Sequence, residues 1–243
     1  MELDPDSSLV ARLLKPPTTF KREHLRQFLY APYSRKIHRR VYCYGHDRYD
    51  LWALLETQQD LAQFNEQSPG ISISIDGRIV SLIPAFVGKM KNGSIVLHVI
   101  STDPISNPDT NSIIDDLDLP SRDLALANWA QQNGCSVRIW NRASLRSNTI
   151  RLENIKHLLR YVSMPQRFLC LSTKELISTT LRQLRKSTVE HVLRSLAEVD
   201  ENVVLATLAE MILDGSCHSD IDFFPFHYST ELSIYHEFEK NNG

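Results

Sequence analysis

The chain lacks long apolar runs, paired cysteines and a sizeable net charge, and each absence narrows what it does. No stretch is long and apolar enough to cross a bilayer. The opening residues, MELDPDSSLVARLLKPP, are acidic and polar and have no apolar signal-peptide centre. The expectation is therefore a cytoplasmic protein. The four cysteines, Cys43, Cys135, Cys170 and Cys217, are far apart and form no CxxC pair. That argues against a zinc ribbon or a disulfide framework and fits a reducing compartment. There is no internal repeat and no low-complexity tract.

What is present is an ordinary globular composition: 243 residues, 42% hydrophobic and 23% charged. That length builds one large or two modest domains. The formal charge of -2 hides an uneven distribution. Ten Lys/Arg fall between Arg12 and Arg48 against Glu23 and Asp47. Eleven fall between Arg142 and Arg194 against Glu153, Glu175 and Glu190. Asp103 to Asp123 is acidic, and so is the chain after Arg194. The two basic blocks read as phosphate-facing surfaces or as solvated helix faces.

Periodicity gives the elements. An N-terminal arm, 1–29, has a short helix, a Lys15-Pro16-Pro17 break and a helical FKREHLRQFL. RYDLWALLETQQDLAQF places Leu51, Leu54, Leu55, Leu61 and Phe64 at largely helical spacing. Residues 71–100 read as a three-strand meander, with turns at Asp76-Gly77 and Lys91-Asn92-Gly93. A polar connection follows. Ser121 is placed to cap a helix through Asn133, then come strand 135–140 and an amphipathic helix, 149–162. Composition changes after Met164-Pro165. Ser172 to Glu175 and Ser187 to Glu190 match capping boxes. They open two helices, and NVVLATLAEMIL forms a third, ending at Asp214-Gly215. TELSIYHEF reads as a strand.

In this order the motifs resemble the TnsA-type endonuclease subunit of heteromeric transposases, from about Ser34 to about Ile234. SRKIHRR leads into a helix ending in Leu54-Leu55-Glu56. Phe64 to Pro69, Gly77-Arg78, Pro84-x-Phe86 and Lys91-Asn92-Gly93 follow, and then His98-Val99-Ile100 stands where the family has EVK. Trp129, Gly134, Asn154-Ile155-x-x-Leu158, Gly215-x-x-x-x-Asp220 and Ser229-Thr230-x-Leu232 complete the match. The resemblance implies an α/β (α+β) fold: a restriction-endonuclease-like core, 30–165, with a mixed central sheet flanked by helices. A small winged-helix-like helical domain, 166–243, follows it. It also implies a bacterial setting.

The family holds divalent metal through a helix Glu, the Asp of PDF and the Glu of EVK, with the lysine helping to activate water. Magnesium needs hard oxygen ligands, and the metal supplies the nucleophile. Here the corresponding positions are Arg48, Ala85 and Ile100. Three losses together, one installing a positive charge, point to a pseudonuclease. Asp50, His98 and Asp103 are the possible stray ligands, Asp50 first. Glu56, Glu66 and Asp76 are local too, but Asp76 suits its turn and Glu56 a structural position. Cys217, His218, Asp220, Asp222 and His227 invite a zinc reading, but Asp220 fits the wing motif, so no metal is assigned.

The function implied is that of an inactive subunit that binds transposon-end DNA, bridges a DDE-type transposase and an AAA+ regulator, or does both, with no cofactor and no membrane partner. Candidate DNA contacts are Arg35, Lys36, Arg39 and Arg40, then Arg182, Arg185 and Lys186. Two alternatives remain. One is a metal-dependent endonuclease with relocated carboxylates, the only case requiring Mg2+. The other is an accessory DNA-binding targeting factor.

Overall fold

A computed structural model describes residues 9–15, 28–66, 68–103, 105–106, 113–114, 118–163, 171–184 and 186–234. The protein is mixed α/β and divides into two compact units. One comprises 1–52 and 60–145, the other 53–59 and 146–243. Among the described residues no helix is long and apolar enough to cross a membrane.

The centre of the first unit is a four-stranded sheet in the order β11-β9-β8-β5. Its strands are β5 (Leu61–Glu66), β8 (Phe86–Met90), β9 (Ile95–Ile100) and β11 (Cys135–Trp140). β5, β8 and β9 run antiparallel, and β11 lies parallel to β9. β9 is the most apolar strand and is buried at five of its six positions, as an interior strand covered on both faces must be. A second sheet, order β10-β7-β6, contains β6 (Ile71–Ile75), β7 (Arg78–Leu82) and β10 (Ile105–Ser106). Ile71, Ile73 and Ile75 point inward and the intervening serines outward. They share a core with Val80, Leu82, Val87, Leu97, Val99 and Leu126. Leu126 comes from α3 (Leu119–Gln132), which packs on β11 and β6, and a one-turn helix, α4 (Arg142–Leu145), follows β11.

Several sequence expectations change here. The meander over 71–100 is four strands, shared between two sheets. Asp76 and Gly77 both have positive φ (50° and 77°), the paired left-handed geometry of a tight hairpin, and close β6 onto β7. Pro84 separates that hairpin from the next, and Phe86–Met90 is a strand of its own. The helix expected through Phe64 is α2 (His46–Thr57) and stops there. Leu61 and Phe64 lie on β5, where a register shift between Leu61 and Gln63 breaks the two-residue alternation. That irregularity buries residues three apart and so imitates helical spacing. The cap of α3 is Asp118, whose carboxylate accepts from the Ser121 amide at 3.0 Å. Ser121 is already inside the helix, and Pro120 occupies the first turn, where its missing N–H costs nothing.

The arm is not wholly free of the core. α1 (Leu9–Leu14) packs on β5 and β8, with Leu13 1% exposed. Asn65 Nδ2 donates to the Leu13 and Lys15 carbonyls at 3.1 and 2.8 Å, satisfying acceptors left open at the helix end. Most of the FKREHLRQFL segment lies outside the described residues. Beyond it, Leu29–Tyr30 pairs as β1 with β4 (Cys43–Tyr44), and β2 (Tyr33–Ser34) pairs with β3 (Arg39–Arg40).

The second unit gathers α5 (Thr149–Val162), α6 (Leu171–Leu184), α7 (Val189–Ser195) and α8 (Glu201–Leu213). Its small antiparallel sheet has the order β12-β14-β13: β12 (Ser187–Thr188), β14 (Glu231–Ser233) and β13 (His218–Ser219). α5 has the bounds its periodicity predicts, opened by the Asn148 side chain accepting from the Arg151 amide. It packs on α8 and groups with the second unit. α6 begins at Leu171, with Ser172 already helical. The cap of α7 is Thr188, not Ser187, which belongs to β12. β14 ends at Ser233, and TELSIYHEF beyond residue 234 lies outside the described residues.

Candidate functional site

Arg48, Ala85 and Ile100 lie together at one end of the central sheet. Ala85, fully buried, immediately precedes β8. Ile100 ends β9, the strand hydrogen-bonded to β8, with Phe86 facing His98 across the pair. Arg48 is in the first turn of α2 and reaches Asp103, just past β9, at 2.9 Å. The other Asp103 oxygen accepts from the Ile100 amide at 3.0 Å. The Asp103 side chain is 7% exposed and the Arg48 side chain 20%. A hard cation needs free carboxylate oxygens, and here both oxygens of Asp103 are engaged by protein N–H donors. Asp50, on α2, is buried. Among the described residues no group of three or more His, Cys, Asp and Glu is placed to hold a metal ion. The residues present do not fit the metal that the resembled site requires.

His98 occupies the same strand end. It is 1% exposed, and its Nδ1 accepts from Trp140 Nε1 at 3.1 Å. The ring proton is therefore on Nε2, which faces Gly88 of β8. Burial, with the Arg138 charge adding to it, lowers the pKa of His98 from 6.5 to about 4. Arg138 lies 4.0 Å over the Trp140 ring. His98 is thus a neutral packed histidine. Cys43 is fully buried, and its thiol is pushed well above its usual value by desolvation and by Glu66, partly offset by Arg48.

The first basic block splits in two. Arg39 makes a bidentate pair with Glu66, both bonds 2.6 Å, and also reaches Asn65 Oδ1 at 3.2 Å. Glu66 is 1% exposed and also accepts from the Tyr42 amide. Arg39 is committed to this buried carboxylate, with its side chain 30% exposed. Lys36 donates to the Leu61 carbonyl at 2.9 Å. Arg35 is half-buried and Arg40 exposed. In the second block, Arg182 is exposed at the end of α6, and Lys186 lies 3.6 Å from Glu231. Arg185 lies outside the described residues.

α8 is not a free reading face. Residues 204–209 and 211–213 of α8 are buried, and its exposed residues are Glu201 and Asn202. The Cys217 region holds no metal cluster among the described residues. Burial pushes the Cys217 thiol up to about 12, Asp214 adding to this and a Ser233 backbone hydrogen bond opposing it. Asp222 pairs with Arg151 at 3.1 Å, Asp220 accepts from the Glu231 amide, and His227 bonds within its own turn. A cavity of about 190 Å³ adjoins this region, lined by Gln59, Arg151, Gly215 and His218 among others.

Sequence reasoning overlooked the run Phe223 to Tyr228. The signal was available, since three of the nine phenylalanines fall at positions 223, 224 and 226. Comparison with protein-family models and with curated proteins finds no match for this chain.

Proposed function

We propose that this protein is a non-catalytic, TnsA-like subunit of a transposon-encoded transposition complex. In this reading the first unit is a restriction-endonuclease-like frame and the second a winged-helix-like one. The observation that carries it is the Arg48–Asp103 pair closed by the Ile100 amide. A guanidinium holds the carboxylate where the family would hold a cation, and Ala85 offers no oxygen. The mixed sheet, with these positions at the ends of paired strands, supports the frame.

Such a subunit acts by holding end DNA and bridging a DDE-type transposase and an AAA+ regulator. Arg40, with Arg35 and Lys36 on the same β2–β3 hairpin, is its favoured phosphate-facing group, and Arg182 and Lys186 are secondary. Contacts of this kind give affinity that falls with salt and carries little sequence information. The burial of α8 argues against base reading through that helix.

The test is a supercoiled-plasmid nicking assay with magnesium and with manganese, run beside end-DNA and partner binding. The expected result is binding without cleavage. Metal-dependent nicking abolished by Asp50→Ala or Asp103→Ala would replace this reading with an endonuclease whose ligands have moved.

A further inference from the structure

Two short ladders of the first unit make one hairpin. Leu29 and Tyr30 face Tyr44 and Cys43, and Tyr33 and Ser34 face Arg40 and Arg39. The two registers are continuous, and between them the Val41 amide donates to the Pro32 carbonyl at 2.9 Å. Pro32 has no N–H to return, so the ladder is interrupted there while the strands stay paired. Cross-strand partners share a face, and faces alternate along each strand. Ser34, Val41 and Cys43 are fully buried on the inner face. Tyr30, on that face, stacks on Tyr49 with ring centroids 4.3 Å apart, and Tyr49 stacks on Trp52 at 5.5 Å. Arg39, also inward, closes on Glu66. The hairpin is pinned along its length.

The outer face carries Arg40, Tyr42 and Tyr44 at two-residue steps on one strand, with Tyr33, Ala31 and Leu29 across from them. None of these is buried: Arg40 is exposed, the three tyrosines are half-buried and Leu29 is 52% exposed. Aromatic rings on an ordered backbone lose little freedom on association.

The charge of this face selects the ligand. It holds a cation and no acid. Glu66, beneath the hairpin, is paired with Arg39, and Asp47, just past it, is paired with Arg142. Tyrosine faces beside a guanidinium match a ligand that has flat π surfaces and an anion at each repeat. Unpaired nucleotides are such a ligand, and stacking on aromatic side chains tolerates any base. In a duplex the base faces are already covered by their neighbours, and only phosphates remain to be held.

We infer that the outer face of this hairpin is a stacking platform for a single nucleic-acid strand, with unpaired bases on Tyr33, Tyr42 and Tyr44 and a phosphate on Arg40. The inference rests on the part of the reading above that places DNA at this hairpin, and adds that the strand there is unpaired. The test measures, by fluorescence polarisation on the full chain, a labelled oligothymidine of about 12 nucleotides, an abasic strand of the same length and a duplex. Oligothymidine should bind at least about tenfold more tightly than the abasic strand. A 2-aminopurine placed in it should lose fluorescence on binding, as a stacked base does. Tyr42→Leu/Tyr44→Leu, checked for folding by circular dichroism, should erase the preference for bases, and Tyr42→Phe/Tyr44→Phe should keep it. Arg40→Ala should weaken the base-bearing and abasic strands alike. Equal affinity for those two strands, a preference that survives the leucine changes, or tighter binding to duplex than to single strand would overturn the inference. Duplex binding without any preference for bases sinks this inference and leaves the subunit reading standing. Ring-dependent binding of the single strand without duplex binding upholds the platform and removes end-duplex contact from that reading.

Discussion

Arg39→Met separates two roles that a basic block leaves merged. The substitution keeps much of the side chain's length and removes its charge. It deletes both 2.6 Å bonds to Glu66 and leaves that carboxylate, 2% exposed, with the 3.3 Å bond from the Tyr42 amide. Stranding one member of a buried pair costs about 3–5 kcal/mol. Arg39 itself is 30% exposed, so the lower end, about 3 kcal/mol, applies. At roughly 2–4 °C per kcal/mol for a chain of this size, the melting temperature should fall by about 6–12 °C. Arg39→Met/Glu66→Gln should recover most of the loss, because no uncompensated charge remains. Arg40→Ala, on the exposed neighbour, should stay within about 0.5 kcal/mol of wild type. Thermal melts report the size of the effect, and hydrogen exchange at β5 and β8 reports its place. Wild-type melting for Arg39→Met, together with collapsed DNA binding, would refute the reasoning and return Arg39 to the phosphate surface.

Other predictions concern charge, pH and backbone. Below pH 6.5 the unfolded chain protonates its histidine at position 98, and the folded chain does not until about 4. This site should therefore remove stability as pH falls through that window, by about 3 kcal/mol at pH 4, and a His98→Gln variant showing the same acid dependence as wild type would contradict it. In end-DNA binding, Arg40→Ala should lower the slope of log affinity against log salt by about 1; unchanged slopes for both Arg40→Ala and Arg182→Ala would take these residues out of the DNA surface. Gly215 has φ +76°, and an added Cβ would collide with the Gln59 amide that bonds the Asp214 carbonyl. Gly215→Ala should cost at least about 1–2 kcal/mol in a denaturant melt, and a neutral result would mean that the turn relaxes freely.

What the sequence discloses is governed by how local the cause is. α5 was legible to the residue because its cap, Asn148, and its apolar stripe lie within the helix's own neighbourhood. Asp76-Gly77 was legible because two residues fix that turn. β5 was not, because an irregularity in its pairing with β8, some 25 residues away, sets which of its side chains turn inward. The same distinction runs through the candidate site. Sequence could place an arginine, an alanine and an isoleucine where the resembled family has other residues. It could not show that Arg48 reaches Asp103 across 55 positions, or that Arg39 reaches Glu66 across 27. Three pairing choices were open to the basic residues of 35–48: solvent, phosphate or a buried carboxylate. Burial decides among them, because the Asp103 and Glu66 side chains are 7% and 2% exposed and require compensating charge, and Arg48 and Arg39 are the cations that reach them. Positive charge at these two positions is therefore used inside the fold, which leaves Arg40 as the exposed arginine of its hairpin and the first side chain to test against DNA.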